Sequence, residues 1–116
     1  MKDEQQSANE FYGHYTGTER YYPLDGVLLT DGVFEIAGEE ECFWFLQTIT
    51  LNQKKLANEP FQTWKLKRLK DNQFEIVATD GNENVIFEEI IPFSDFFFKE
   101  FTIWVENGVL LLPSER

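Results

Sequence analysis

Asp80-Gly81-Asn82-Glu83-Asn84 comes closest to a ligand set in this chain, with side-chain oxygens at the first, third and fifth positions of a calcium loop. The sixth position of such a loop has to be glycine and here is Val85, and the flanking patterns read as strands, so a hairpin turn accounts for every residue. Nucleophilic catalysis needs a base beside Cys42 or a serine. The one histidine is His14, in an aromatic stretch, and Ser7, Ser94 and Ser114 sit in no nucleophile-elbow pattern. Cys42 lies on an apolar helical face and reads as a small buried hydrophobe. One histidine and one cysteine cannot build a tetrahedral transition-metal cage, and no glycine-rich phosphate loop is present. Paired carboxylates could do acid and base chemistry, but with 21 acidic residues some will be neighbours by chance. Glu39, Glu40 and Glu41 serve as helix-start charges, and Glu88 and Glu89 straddle a strand. No catalytic, cofactor-binding or metal-binding residue is assigned.

The basic residues carry the stronger signal. Lys54, Lys55, Lys65, Lys67, Arg68 and Lys70 crowd into one window that holds a single acid, Glu59, while the whole chain is −11. The result is an acidic body with one basic strip. Lys65, Lys67 and Arg68 could form a stripe for a partner; equally, edge strands use lysines to prevent aggregation. A net charge of −11 opposes binding to a phosphate backbone, so no direct nucleic-acid contact is expected. The same charge would suit a protein that imitates nucleic acid and inhibits an enzyme that binds it.

At 116 residues and 42% hydrophobic content, one packed domain is expected over 11–116, with residues 1–10 a flexible segment outside the core. The lone Cys42, the absence of an apolar leader in residues 1–20 and the absence of any membrane-length apolar run suit a soluble cytoplasmic protein.

Residues 11–22 read as an aromatic loop or short strand, rich in Phe11, Tyr12, Tyr15, Tyr21 and Tyr22, which raises the question of a pocket lined by Tyr12, His14 and Tyr15. Thr30 can cap a short helix over Asp31–Ala37, with Gly38 as its left-handed stop. A longer helix is expected next, with Glu39–Glu41 in its first turn and Lys54, Lys55 in its last. Cys42, Phe45, Leu46 and Ile49 share one face of it, while Trp44 and Leu51 lie nearly opposite, so the helix has two apolar sides to cover.

Beyond Glu59-Pro60 the periodicity alternates. Asp80-Gly81 predicts a two-residue turn pairing Thr79 with Asn82, Ile76 with Val85 and Phe74 with Phe87. A three-residue loop over Lys70–Asn72, with Asn72 left-handed, pairs Trp64 with Ala78 and Leu66 with Ile76 and sets Lys67 across from Glu75 on the wet face. Pro92 ends the third strand. Asn107-Gly108 predicts a hairpin pairing Val105 with Leu110, Ile103 with Leu112 and Trp104 with Leu111. Of Phe96, Phe97 and Phe98, either two are buried in the helix–sheet seam or the run forms an apolar patch.

The segments Gly17-Thr18-Glu19 with its aromatics, Thr30-Asp31-Gly32-Val33, the helical Phe43-Trp44-Phe45-Leu46-Gln47, Trp64-Lys65-Leu66, Asp80-Gly81-Asn82 and the closing Leu112-Pro113-Ser114-Glu115 resemble a family of small bacterial and mobile-element proteins known only as a domain of unknown function. Gln47 stands where that pattern has an acidic residue. The resemblance implies an intact domain and carries no activity, cofactor or ligand.

The fold expected is α+β: two N-terminal helices, one short and one long, then an antiparallel sheet of four to five strands with the long helix on one face. The function expected is non-enzymatic and exerted through protein contacts, with a homodimer favoured by the doubly apolar helix. Trp44, Leu51, Phe96, Phe97, Phe98, Lys65, Lys67 and Arg68 are the candidate partner surface. The alternatives are the acidic inhibitor and a small carboxylate-dependent hydrolase.

Overall fold

Residues Lys2–Arg116 are described by a computed structural model; they form three α-helices and one seven-stranded sheet. In chain order these are α1 (Ala8–Phe11), β1 (Tyr22–Leu24), β2 (Val27–Leu29), α2 (Asp31–Glu39), α3 (Phe43–Leu51), β3 (Phe61–Lys70), β4 (Gln73–Thr79), β5 (Val85–Ile91), β6 (Glu100–Glu106) and β7 (Val109–Leu111), with a 3-10 turn at Pro113–Glu115. The strand order is β1-β2-β7-β6-β3-β4-β5. The sheet is mixed, because β2 runs parallel to β7 with Leu28 beside Val109 and Leu29 beside Leu110. The expected four to five antiparallel strands after two helices is therefore corrected: a third helix precedes them, and two strands come before α2.

Those two strands form because Asp25 and Gly26 both take left-handed backbone (φ 45° and 89°), the twist a two-residue hairpin turn needs, so that Leu24 pairs with Val27 and Tyr22 with Leu29. Ser7 caps α1 with a reciprocal box: its hydroxyl accepts from the Glu10 N–H, and the Glu10 carboxylate accepts from the Ser7 N–H. Ser7 and Ala8, in the stretch expected to stay outside the core, are buried. Their neighbourhood has a reason. On β6, β7 reaches only Trp104–Glu106, leaving the start of that strand open, and there the Asn9 side-chain amide donates to the Thr102 carbonyl and accepts its N–H, as a strand's peptide would.

Thr30 caps α2 as expected, but Gly38 is helical and Glu41 takes the left-handed stop (φ 53°). Glu39 therefore ends α2, and the long helix shrinks to Phe43–Leu51. It stops there because the side-chain amides of Asn52 and Gln53 donate to the carbonyls of Thr48 and Ile49 and satisfy the last turn. Lys54 and Lys55 fall in the turns beyond. One apolar side of α3 covers the sheet, with the Phe45 ring 5.8 Å from Phe101. The side that carries Trp44 and Leu51 is not covered by α2, since Leu51 is exposed and Trp44 half-buried; α2 meets the flank between, where Phe43 lies 6.2 Å from Phe34, which stacks on Tyr22 at 4.1 Å.

In β3–β4, Trp64 pairs with Ala78, Leu66 with Ile76 and Lys67 with Glu75, as expected. The turn differs: Asp71, not Asn72, is left-handed, and a bulge between Arg68 and Lys70 supplies the extra residue. In β4–β5 the register expected from Asp80-Gly81 fails. Phe74 pairs with Ile91, Ile76 with Glu89 and Ala78 with Phe87, while Val85 pairs with Thr79 on the face opposite to Trp64. The loop lengthens to 80–84 because the Asp80 carboxylate accepts from the N–H groups of Asn82 and Asn84 and from the Asn84 amide, winding the chain around itself. In β6–β7, Val105 pairs with Leu110 and Trp104 with Leu111; Leu112 lies beyond β7 and takes no ladder partner from Ile103.

All helices lie on one face. Trp64, Leu66, Phe74, Ile76, Phe101 and Ile103 are fully buried there with Phe45 and Ile49, each such side chain contributing about 1.5–3 kcal/mol by leaving water. On the other face the same strands show exposed or half-buried residues, in strict alternation.

Candidate interaction surface

Three of the segments that carry the resemblance meet at the start of α2. The Glu115 carboxylate accepts from the Thr30 hydroxyl (2.5 Å), the Gly32 N–H (2.9 Å) and the Leu112 N–H (2.9 Å). The Thr18 hydroxyl oxygen accepts from the Asp31 N–H, and the Asp31 carboxylate accepts from the Glu19 N–H, both at 2.8 Å. That Glu19 N–H is the main reason the Asp31 carboxyl is held below the usual range. Glycine at residue 32 lets the two segments approach closely: a Cβ there would stand 2.6 Å from Leu112 Cδ1 and 2.9 Å from Glu115 Oε2, so both side chains would have to shift. The N–H groups that a helix start offers to an anion are thus taken by the chain's own oxygens, and this cluster is a clasp.

Other polar side chains are also committed to structure. Arg68 points to the helix-bearing face, where Nη2 donates to the carbonyls of Phe96 (2.7 Å) and Phe97 (3.2 Å) and Nη1 to the Asp71 carbonyl (2.6 Å), with the guanidinium 4.6 Å from the Phe74 ring centre. The Phe96–Phe98 run is pinned by it: Phe96 and Phe98 are buried and Phe97 half-buried beneath Lys2. Glu40 accepts from the Tyr12 hydroxyl (2.5 Å) and pairs with Lys2 at 2.9 Å. Burial and that carboxylate push the Tyr12 phenol upward. The Trp64 indole donates to Gln62, which exchanges amide bonds with Gln53.

The surface expected to receive a partner is therefore divided. Lys65 and Lys67 lie on the open face of the sheet, and Arg68, Trp44 and Phe96–Phe98 on the helix-bearing side. Leu51 is 78% exposed at the end of α3. Trp44 joins Ile91, Phe93, Ser94 and Asp95 around an open hollow of about 310 Å³. The Tyr12, His14 and Tyr15 rings lie side by side at tilted angles; of these, His14 and Tyr15 line a shallow hollow with Thr18, Glu19 and Asp31, whereas Tyr12 is buried.

Two surfaces remain without a structural task. Across the open face a band of apolar side chains runs from Leu28 through Val109 and Leu111 to Trp104 and Phe61, beside Lys65, Lys67, Glu75, Glu88, Glu100 and Glu106. Arg116 lies over Phe61 and Trp104, pairing with Glu106 at 3.0 Å. The second surface is the outer edge of β5, with Val85 and Ile90 each 53% exposed and Phe93 68% exposed just beyond it. Alternation points to the first; the second escapes sequence reasoning because the register expected from Asp80-Gly81 puts Val85 inside.

The chemistry considered from sequence is not assembled. The oxygens of Asp80 are engaged by N–H donors, and no cluster of three or more metal-ligating side chains occurs among the described residues. Cys42 is fully buried, and burial pushes its thiol up to about 12. The carboxylates that depart from their ordinary values, Glu10, Asp31 and Asp80, all go down, with hydrogen bonds as the leading cause. No helix among the described residues is long and apolar enough to cross a membrane.

Searches of curated proteins and of solved structures return no match. A family model does match, over residues 6–116, and it takes in α1, every strand and the Leu112–Glu115 clasp; the chain belongs to the family of unknown function DUF6876.

Proposed function

We propose that this is a non-enzymatic cytoplasmic protein that acts through protein contacts, with the open face of its sheet pairing with a second copy. One observation carries the reading: helices cover one face of the sheet, and the other carries the Leu28–Val109–Leu111–Trp104–Phe61 band, in which Leu28 is exposed, Val109, Trp104 and Phe61 are half-buried and Leu111 is buried between them. Apolar area of that kind is what an interface removes from water. Charge favours the same face. Two bodies of −11 repel, but here Lys65, Lys67 and Arg116 stand among Glu75, Glu88, Glu100 and Glu106, so repulsion is weakest where the band lies. The single buried Cys42 suits a reducing compartment. A role accessory to a bacterial mobile element fits the resemblance of the motifs.

Sedimentation equilibrium across micromolar concentrations tests the dimer. The expected result is a monomer–dimer equilibrium, shifted at least tenfold toward monomer by Trp104→Glu, with Leu51→Glu on the opposite side of the molecule neutral. A strict monomer at high micromolar concentration, or a dimer that Trp104→Glu leaves intact, overturns the open-face reading.

A further inference from the structure

Every exposed backbone edge of this sheet is blunted except one. At the β1 end the edge strand is three residues long and carries Pro23, which cannot donate. The open start of β6 is filled by Asn9. The opposite edge, β5, runs seven residues (Val85–Ile91) with no proline and no lysine; its one irregularity lies at the Val85 end, between the Thr79–Val85 and Ala78–Phe87 pairs, Phe87–Ile91 is regular, and among the described residues no backbone bond outside the ladder reaches the strand. Its apolar residues remain accessible on both faces: Val85 and Ile90 on the open side, Phe87 and Ile91 half-buried on the helix side. A long apolar edge of this kind is a template for one more strand.

We infer that β5 is a strand-addition site for an extended segment of another protein in which apolar and basic residues alternate. The edge itself selects against a second copy. Antiparallel pairing about the strand's midpoint sets Glu88 opposite Glu88, and both molecules carry −11. A basic segment meets the reverse. Glu75, Glu88 and Glu89 border a hollow of about 220 Å³ with Ile76 and Ile90, where a lysine or arginine side chain finds carboxylates beside an apolar stem contact. Past the end of the strand, Trp44, Ile91 and Phe93 form the 310 Å³ hollow with Asp95 at its rim, sized for one bulky apolar side chain beside another cation. Main-chain bonds to β5 would supply affinity, and these two hollows the choice of sequence. The site uses the edge of the sheet where the dimer uses its surface, and the two share only Glu75 and Glu88.

The probe is an acetylated, amidated seven-residue peptide alternating lysine and valine, titrated into the full chain at moderate salt. Backbone amide shifts and hydrogen exchange provide the readout. Saturable shifts centred on Val85–Ile91, with slowed exchange of the outward amides of β5, are expected. Methylating alternate peptide nitrogens should weaken binding at least tenfold at unchanged charge, as should the exposed double substitution Glu88→Lys and Glu89→Lys. Equal binding of the methylated peptide reduces the contact to charge attraction and overturns the inference. So do shifts that centre on other strands, no binding up to millimolar peptide, or self-pairing through β5 in the peptide's absence. A failure of the Trp104→Glu dimer test with the peptide result intact removes the dimer alone.

Discussion

Removing the Glu115 carboxylate should cost this fold more than any other single change outside the core. The carboxylate accepts from three donors on two separate segments, the Thr30 hydroxyl and Gly32 N–H at the start of α2 and the Leu112 N–H at the end of β7. Hydrogen bonds to a charged partner are worth roughly 1.5–3 kcal/mol each when one side is deleted, and the negative charge at a helix N-terminus adds about 0.3–1 kcal/mol. These terms do not add, and water can reach part of the site, so Glu115→Ala should destabilise by about 2–4 kcal/mol. At about 3–5 °C per kcal/mol for a chain of this size, the midpoint of thermal unfolding falls by roughly 6–20 °C. Glu115→Gln keeps one carbonyl acceptor but turns an N–H toward donors, and should lose at least half as much. Gly32→Ala supplies the second arm, because its methyl would displace Leu112 Cδ1 and Glu115 Oε2. In the Glu115→Ala background that methyl has less to displace, so the cycle should show coupling of about 1 kcal/mol. Urea unfolding followed by tryptophan fluorescence reads all four variants. Glu115 substitutions within about 0.5 kcal/mol of the parent, or strictly additive Gly32 and Glu115 changes, would refute the clasp.

Arg68→Lys keeps the charge but loses the planar fork that binds the Phe96, Phe97 and Asp71 carbonyls together; chemical denaturation should show a loss of about 1.5–3 kcal/mol, and a neutral result would mean that Phe96–Phe98 hold themselves. The Cys42 thiol should resist a disulfide reagent at pH 8 in the native protein and react at once in denaturant, since burial holds its value at about 12. Folding thus favours the neutral thiol. Its contribution is fully present below the unfolded value of about 8.5 and is lost as pH rises through the folded one, so Cys42→Ala should flatten the decline in stability between about pH 9 and 12; an unchanged alkaline slope would count against this account.

Alternation made the helix-facing side of the sheet legible. Trp64, Leu66 and Ile76 could be placed because a one-residue slip would bury Lys65 and Lys67, and that penalty held the β3–β4 register even though the turn itself formed differently. The same logic had no purchase on β5. Its sequence runs Val-Ile-Phe-Glu-Glu-Ile-Ile, in which apolar residues fall on both faces, so nothing but the turn chose the register. Asp-Gly is a turn signal, and the residues next along the chain set the length of the turn. After Asp25-Gly26 comes Val27, with no side-chain donor, and a two-residue turn results; after Asp80-Gly81 the Asp80 carboxylate gathers the Asn84 side-chain amide as well as the backbone N–H groups of Asn82 and Asn84 into a longer loop. The boundary between α2 and α3 departs from expectation for a comparable reason. Gly38 is the stop that backbone preference favours, yet the chain turns at Glu41, and the burial of Cys42 and Phe45 just beyond it offsets the strain of one left-handed residue.

The division of labour among residues comes from these contacts. Thr18, Glu19, Thr30, Gly32, Leu112 and Glu115 tie the β1–β2 hairpin and α2 to the end of the last strand, which is what allows β2 to lie parallel to β7 and complete the sheet. They hold together segments far apart in sequence, and their hydrogen-bonding groups are spent in doing so. The surfaces left free, the Leu28–Phe61 band and the β5 edge, are built from Trp104, Phe61, Val85, Ile90 and Phe93, residues with no role in that clasp. A chain can therefore keep the motifs by which this fold is recognised while changing the side chains of these two surfaces. Membership in DUF6876 speaks for the scaffold, and a shared scaffold does not by itself fix a shared function.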